Sequence, residues 1–172
     1  MAFSLYDATV ANYLQILDAV SGFLDKSLAH FKEKGIDPAA VVETRLAPDM
    51  LPFRFQIVSI AHHSRGAMEG VRNGLFVPPS VKSEDYAALQ ILVTEAHNDL
   101  SALTPEAVNA LIGRDVTFQL GKRSLPFTAE EFLMSFSLPN FFFHATTAYD
   151  ILRHKGVPLG KQDFIGRMKL KK

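Results

Sequence analysis

The chain has 172 residues, 48% of them hydrophobic and 21% charged, with 18 Lys and Arg against 18 Asp and Glu, a formal net charge of +0, 14 Phe and no Cys. That length suits one ordinary domain, since a chain of this size buries roughly 68–70% of its unfolded surface, and the hydrophobic fraction excludes a disordered chain. The charge balance argues against nucleic-acid binding, which calls for a basic excess, and the lack of cysteine excludes disulfides, thiolate metal sites and cysteine nucleophiles.

The opening residues Met1 to Asp7 show no basic stretch ahead of an apolar one, so no secretory signal is expected. Val10, Tyr13, Leu14, Leu17, Val20, Leu24, Leu28 and Phe31 recur at helical spacing and form one apolar stripe. Asp7, Asp18 and Asp25 line the edge of that stripe and read as a solvated flank. Lys32, Lys34 and Gly35 form a stop signal. Asp37-Pro38 then starts a short helix to about Leu46, with Asp as its N-cap.

A second helix is expected from about Asp49 to Arg72, closed by Asn73-Gly74, with Met50, Phe53, Ile57, Ile60, Ala61, Ala67, Met68 and Val71 as its stripe. A loop with Pro78-Pro79 follows, and Ser83 caps a third helix that buries Tyr86, Leu89, Leu92, Val93, Ala96, Leu100 and Leu103. Between Asp115 and Phe127 the period changes to two. Val116, Phe118 and Leu120 lead into a turn at Gly121-Lys122-Arg123, and Leu125 and Phe127 return, which predicts a β-hairpin. Thr128-Ala129-Glu130-Glu131 is a capping box for a fourth helix, and Arg153-His154-Lys155-Gly156 with Pro158 stops it. The expected fold is all-α: an antiparallel four-helix bundle with a small β-hairpin inserted before the last long helix. It forms a single domain over residues 1–166, followed by a solvated basic tail over 167–172.

The fourth helix carries the most information. Phe132 to Tyr149 has no formal charge over about 18 residues, but its Ser, Thr, Asn, Pro and His content fits a helix buried in protein better than a membrane span. A soluble, cytoplasmic chain with no membrane partner is expected. Leu133, Ser137, Asn140, Phe141, Ala148 and Ile151 project within about 60° of His144, while Leu138, Phe142 and Tyr149 lie opposite. A helix apolar nearly all round is covered on more than one side, most simply by a second copy of the chain. Pro139 removes one backbone hydrogen bond and can kink the helix.

Ser137, Asn140 and His144 form a polar file on the inward face, and buried polar groups need partners: each other, water or a ligand. Of the adjacent His62 and His63, which point about 100° apart, His63 lies at the margin of the apolar stripe and His62 opposite it. His30, His97 and His154 read as structural or solvated. No zinc-protease, nucleophile-elbow, phosphate-loop or dinucleotide motif is present.

Arg45-Leu46-Ala47-Pro48-Asp49-Met50 and the long block Leu138-Pro139-Asn140-Phe141-Phe142-Phe143-His144-Ala145-Thr146-Thr147-Ala148-Tyr149 resemble a bacterial family of unknown function in the DinB/YfiT-like superfamily. So do Ser4-Leu5-Tyr6-Asp7-Ala8 near the start and Gly156-Val157-Pro158-Leu159-Gly160-Lys161 near the end. The resemblance implies a four-helix bundle and, in many relatives, a homodimer. It also implies a divalent metal held by one His of the second helix and a His-x-x-x-His pair on the last, serving thiol-dependent transferases or hydrolases. Here Asn140 stands at the first position of that pair, His144 at the second, and His63 can stand for the helix-two ligand, so the set is incomplete. The expected function is therefore a small-molecule-binding homodimer with its pocket at Ser137, Asn140, His144 and His63. The alternative is a metal-dependent transferase or hydrolase using His63, Asn140 and His144.

Overall fold

The computed structural model describes residues 3–80 and 84–171. Among them the chain is mostly helical, with one small three-stranded sheet. A short helix α1 (Leu5–Ala8) is capped by Ser4 and Asp7 in a reciprocal capping box and turns at Thr9 into α2 (Val10–Lys34). The predicted stripe of α2 faces inward: Val10, Tyr13, Leu17, Val20, Leu24 and Phe31 are buried, and Gly35 closes the helix at φ 66°. The acidic flank does more than meet solvent. Asp18 pairs with His97 Nε2 at 2.9 Å and Asp25 accepts from Gln90 at 2.6 Å, which ties α2 to the third long helix.

Asp37 caps α3 (Pro38–Val42) through Ala39 N–H, as the sequence predicts, but α3 stops well short of Leu46. The next helix, α4 (Phe53–Ala61), begins four residues later than expected. Pro52 is extended at its N-terminus (φ −70°, ψ 170°), and a residue that precedes proline is itself biased away from helical geometry, so the helix starts only after Pro52, beyond a turn in which Met50 N–H donates to the Ala47 carbonyl at 3.0 Å. A single π-helical turn (His62–Gly66) then joins α4 to α5 (Ala67–Asn73), so the expected second helix is one rod with a wider turn at its centre.

Gly74, at φ 75°, ends α5 and turns the chain into β1 (Leu75–Phe76). This strand pairs in parallel with β2 (Asp115–Leu120), which in turn forms the predicted hairpin with β3 (Arg123–Thr128), Phe118 opposite Leu125. The hairpin is thus part of a sheet rather than an isolated insertion. Gly70 makes room for β1: a Cβ there would stand 3.0 Å from Phe76 Cδ2 and 3.2 Å from the Leu75 carbonyl.

The third long helix, α6 (Tyr86–Ser101), is capped by Asp85, which accepts from Ala88 N–H at 2.8 Å; the expected cap Ser83 lies outside the described residues. Thr104 and Pro105 open a short helix α7 (Pro105–Asn109) that periodicity did not reveal. The Thr128–Glu131 capping box opens α8 (Ala129–Glu131), a second π-helical turn follows (Phe132–Ser137), and α9 (Leu138–His154) runs on to Gly156 at φ 85°. The widened turn ends just before Pro139, the residue that lacks an N–H, and α9 continues beyond it. A last short helix α10 (Lys161–Ile165) rests on α2 through Lys26–Asp163 at 3.1 Å and Gln15 Nε2 donating to the Ile165 carbonyl at 2.9 Å.

The principal packing partners are α4 with α9, α2 with α6, and α4 with α6. Tyr13, Phe23, Phe31, Phe53, Phe132 and Phe141 lie at the core with essentially no exposure. Among the described residues no helix is long and apolar enough to cross a membrane.

Candidate functional site

The two π-helical turns meet. Ser137, the last residue of the second, donates its hydroxyl to the backbone carbonyl of His63 in the first at 2.7 Å, and it accepts from the buried Tyr13 hydroxyl at 3.4 Å. A widened turn disrupts the regular backbone ladder, so a side chain that supplies a donor there replaces a missing partner. Ser137 is fully buried and both its bonds go to protein, which makes it the clasp between three helical segments. Burial pushes the Tyr13 hydroxyl pKa up, so it stays protonated and available as a donor.

His63 and His144 come together beside this clasp. Their rings lie nearly parallel, 14° apart, with centroids separated by 5.9 Å. On α4, two turns before His63, the buried Gln56 reaches across to α9: its Nε2 donates to the Leu51 carbonyl at 2.8 Å and its Oε1 lies 2.7 Å from His144 Nδ1. The first bond orients the amide. An oxygen then faces the imidazole, so Nδ1 of His144 must carry the proton and Nε2 presents a lone pair. His63 Nδ1 is sealed from solvent and makes no hydrogen bond.

Aromatic rings wall the pair. Phe55 and Phe143 meet His144 edge-on at 5.7 and 5.2 Å, and Phe136 meets His63 edge-on at 5.6 Å. Phe76, delivered by β1, stands 5.5 Å from His63 and 4.3 Å from His62, whose Nε2 lies 2.8 Å from the Val77 carbonyl. Burial in these surroundings disfavours the charged imidazolium: His63 falls to about 3, with the neighbouring His62 and His144 adding to the effect, and His144 falls to about 4. Both rings are therefore neutral at physiological pH.

Of the four residues singled out in the sequence, His63 and His144 share one site, Ser137 lies directly behind it, and Asn140 is half-buried on the same helix. Asn140 Nδ2 is occupied, donating to the Phe136 carbonyl at 2.7 Å. His62 turns the other way, into the groove between α4 and the Val77–Ser80 segment. Two further residues define the site: Gln56 and Phe76. Gln56 was visible as a polar residue on an apolar stripe, three positions after Phe53 and four before Ile60. Phe76 depends on a parallel strand of only two residues, which leaves no periodic signature.

The three-imidazole metal set implied by the resemblance does not assemble. Among the described residues no three His, Cys, Asp or Glu side chains come together as a ligand group. Two imidazoles and an amide, whose oxygen is a weaker donor toward such metals than a third imidazole, fall short of it.

The outer face of α9 forms a shallow apolar groove with Leu46, Met50, Pro139, Phe142 and Phe143, in which Phe143 is 56% exposed.

No curated protein sequence matches the chain. The crystal structure of a DinB family member protein from Shewanella denitrificans is similar at 26% sequence identity and a TM-score of 0.81, over 98% of this chain and 95% of that one. Residues 5–165 match a family model described as a domain of unknown function, DUF1993, and the chain, DinB-like in fold, belongs to that family.

Proposed function

We propose that this protein binds a small organic molecule at the His63–His144 pair. The observation that carries the reading is the pair itself: two imidazoles side by side in an aromatic wall, one held in a single tautomer by a buried glutamine, with one ring nitrogen sealed and unpartnered. The working form is a cytoplasmic homodimer whose second copy covers the groove on α9, supported by the exposure of Phe143 and Leu46 along that groove. Its architecture is an antiparallel four-helix bundle over residues 1–166 with a basic tail beyond. The likeness to the DinB family member supports that architecture, and the balanced charge supports a function without nucleic acid. The test is a thermal-shift screen against a broad compound library. Hits that stabilise the wild-type protein and not His144→Ala support the reading, and a screen with no such hit overturns it.

A metal-dependent transferase or hydrolase is the second reading. The observation in its favour is Gln56, since an imidazole that binds a metal commonly donates its other N–H to a carbonyl oxygen. Elemental analysis of untagged protein purified without chelators decides this. About one transition metal per chain, lost in His144→Ala, favours the enzyme; metal-free protein in both forms removes it.

A further inference from the structure

The ring nitrogens of the pair face opposite demands, and that difference selects a ligand chemistry. On His144 the proton is fixed at Nδ1 by Gln56, whose own orientation is fixed by the Leu51 carbonyl, so Nε2 can only accept. On His63 the sealed nitrogen is Nδ1, with no acceptor in reach. An orphaned buried N–H is rarer in proteins than an under-satisfied acceptor, which puts the proton on the other nitrogen, Nε2. The two neighbouring rings then offer one acceptor and one donor. The flanking groups are rings: Phe55 and Phe143 beside His144, Phe136 and Phe76 beside His63. Neither imidazole pairs with an Asp or Glu carboxylate among the described residues.

We infer that the site takes an uncharged, flat hydroxyl compound, its O–H donating to His144 Nε2 and its oxygen accepting from His63 Nε2–H. The inference rests on the small-molecule reading above and adds the ligand's class. Gln56 is the specificity-determining residue, acting through His144: without its carbonyl oxygen nothing holds the Nδ1–H tautomer, and His144 is free to turn its acceptor away.

Phenol and anisole test this with nearly the same shape, because anisole keeps the ring and the oxygen and lacks the donor. In full-length protein labelled with nitrogen-15 histidine, the spectrum at neutral pH should show His144 protonated at Nδ1 and His63 protonated at Nε2. Phenol should shift both Nε2 resonances saturably, and anisole should bind at least about tenfold more weakly, the ratio that one buried hydrogen bond supplies. In Gln56→Leu the two probes should come within about threefold of each other. The tautomer measurement needs no variant, so it stands even where Gln56→Leu fails to fold. A His144 protonated at Nε2, anisole binding as tightly as phenol, or no binding of either probe each overturns the inference. A library compound whose effect His144→Ala abolishes, found in protein that ignores phenol, leaves the binding-site reading standing and removes this one alone.

Discussion

Gln56 Oε1 accepts from His144 Nδ1 at 2.7 Å, a bond that crosses from α4 to α9 and joins residues 88 positions apart in the chain. Because the other end of the amide is bonded to the Leu51 carbonyl, one side chain serves the turn before α4, the helix pair and the imidazole together. Gln56→Leu keeps a similar volume but leaves His144 Nδ1–H and the Leu51 carbonyl without partners. A loss of about 1–3 kcal/mol in denaturant unfolding is expected, with the slope unchanged. A neutral result contradicts the placement of Gln56 at the centre of this network.

Ser137 makes the corresponding claim for the clasp. Removing its hydroxyl strands the His63 carbonyl and the Tyr13 hydroxyl at the junction of the two π-helical turns. Ser137→Ala should cost about 1–3 kcal/mol, whereas Tyr13→Phe, which gives up only the longer 3.4 Å bond, should cost about 1 kcal/mol or less. The double variant should fall short of the sum, since both act on one chain of bonds. Strict additivity in a double-mutant cycle would show that the two hydroxyls act independently.

Much of this arrangement is legible in the amino-acid order, and the illegible part has physical causes. The apolar stripes of α2, α4 and α6 and the Thr128 capping box are local patterns, and the structure follows them. The alternation of Val116 and Phe118 likewise marks β2. The π-helical turns are not legible, because one extra residue per turn leaves composition and stripe almost unchanged. Their consequence is rotational: residues beyond each turn are rotated from where a uniform 100° step puts them. Asn140 and His144 follow such a turn, yet the spacing of four between them survives because α9 is regular from Leu138 onward. β1 was missed for another reason. Two residues are too few to alternate, and their strand geometry comes from pairing with β2, 42 positions away, and from the space left by Gly70.

The neutral imidazoles set a pH dependence. An unfolded histidine titrates near 6.5, whereas folded His144 and His63 lie at about 4 and about 3. Below pH 6.5 the unfolded chain takes up protons that the folded chain cannot, so stability that is complete above that pH falls as the pH drops toward 4. His62, in contact with His63, is shifted in the same direction by burial. The midpoint of thermal unfolding should therefore decline more steeply between pH 7 and 5 in the wild-type protein than in His63→Gln/His144→Gln. Parallel declines would mean that the folded imidazoles already accept protons in that range.

Phe143 reports on assembly. It is 56% exposed on the groove of α9 while its ring edge meets His144 at 5.2 Å, so an interface there would lie directly against the site. Phe143→Glu should convert a dimer to a monomer in light scattering while changing unfolding of the monomer by roughly 0.5 kcal/mol, as for other exposed positions. A variant that remains dimeric places the interface elsewhere.

The ligand site proposed at the His63–His144 pair needs no metal. A thermal-shift screen run in the presence of a strong chelator tests it most directly, with wild type and His144→Ala side by side. Compounds should stabilise the wild-type protein under chelation and lose that effect in the variant. Stabilisation that disappears on adding the chelator, or that persists undiminished in His144→Ala, would contradict it.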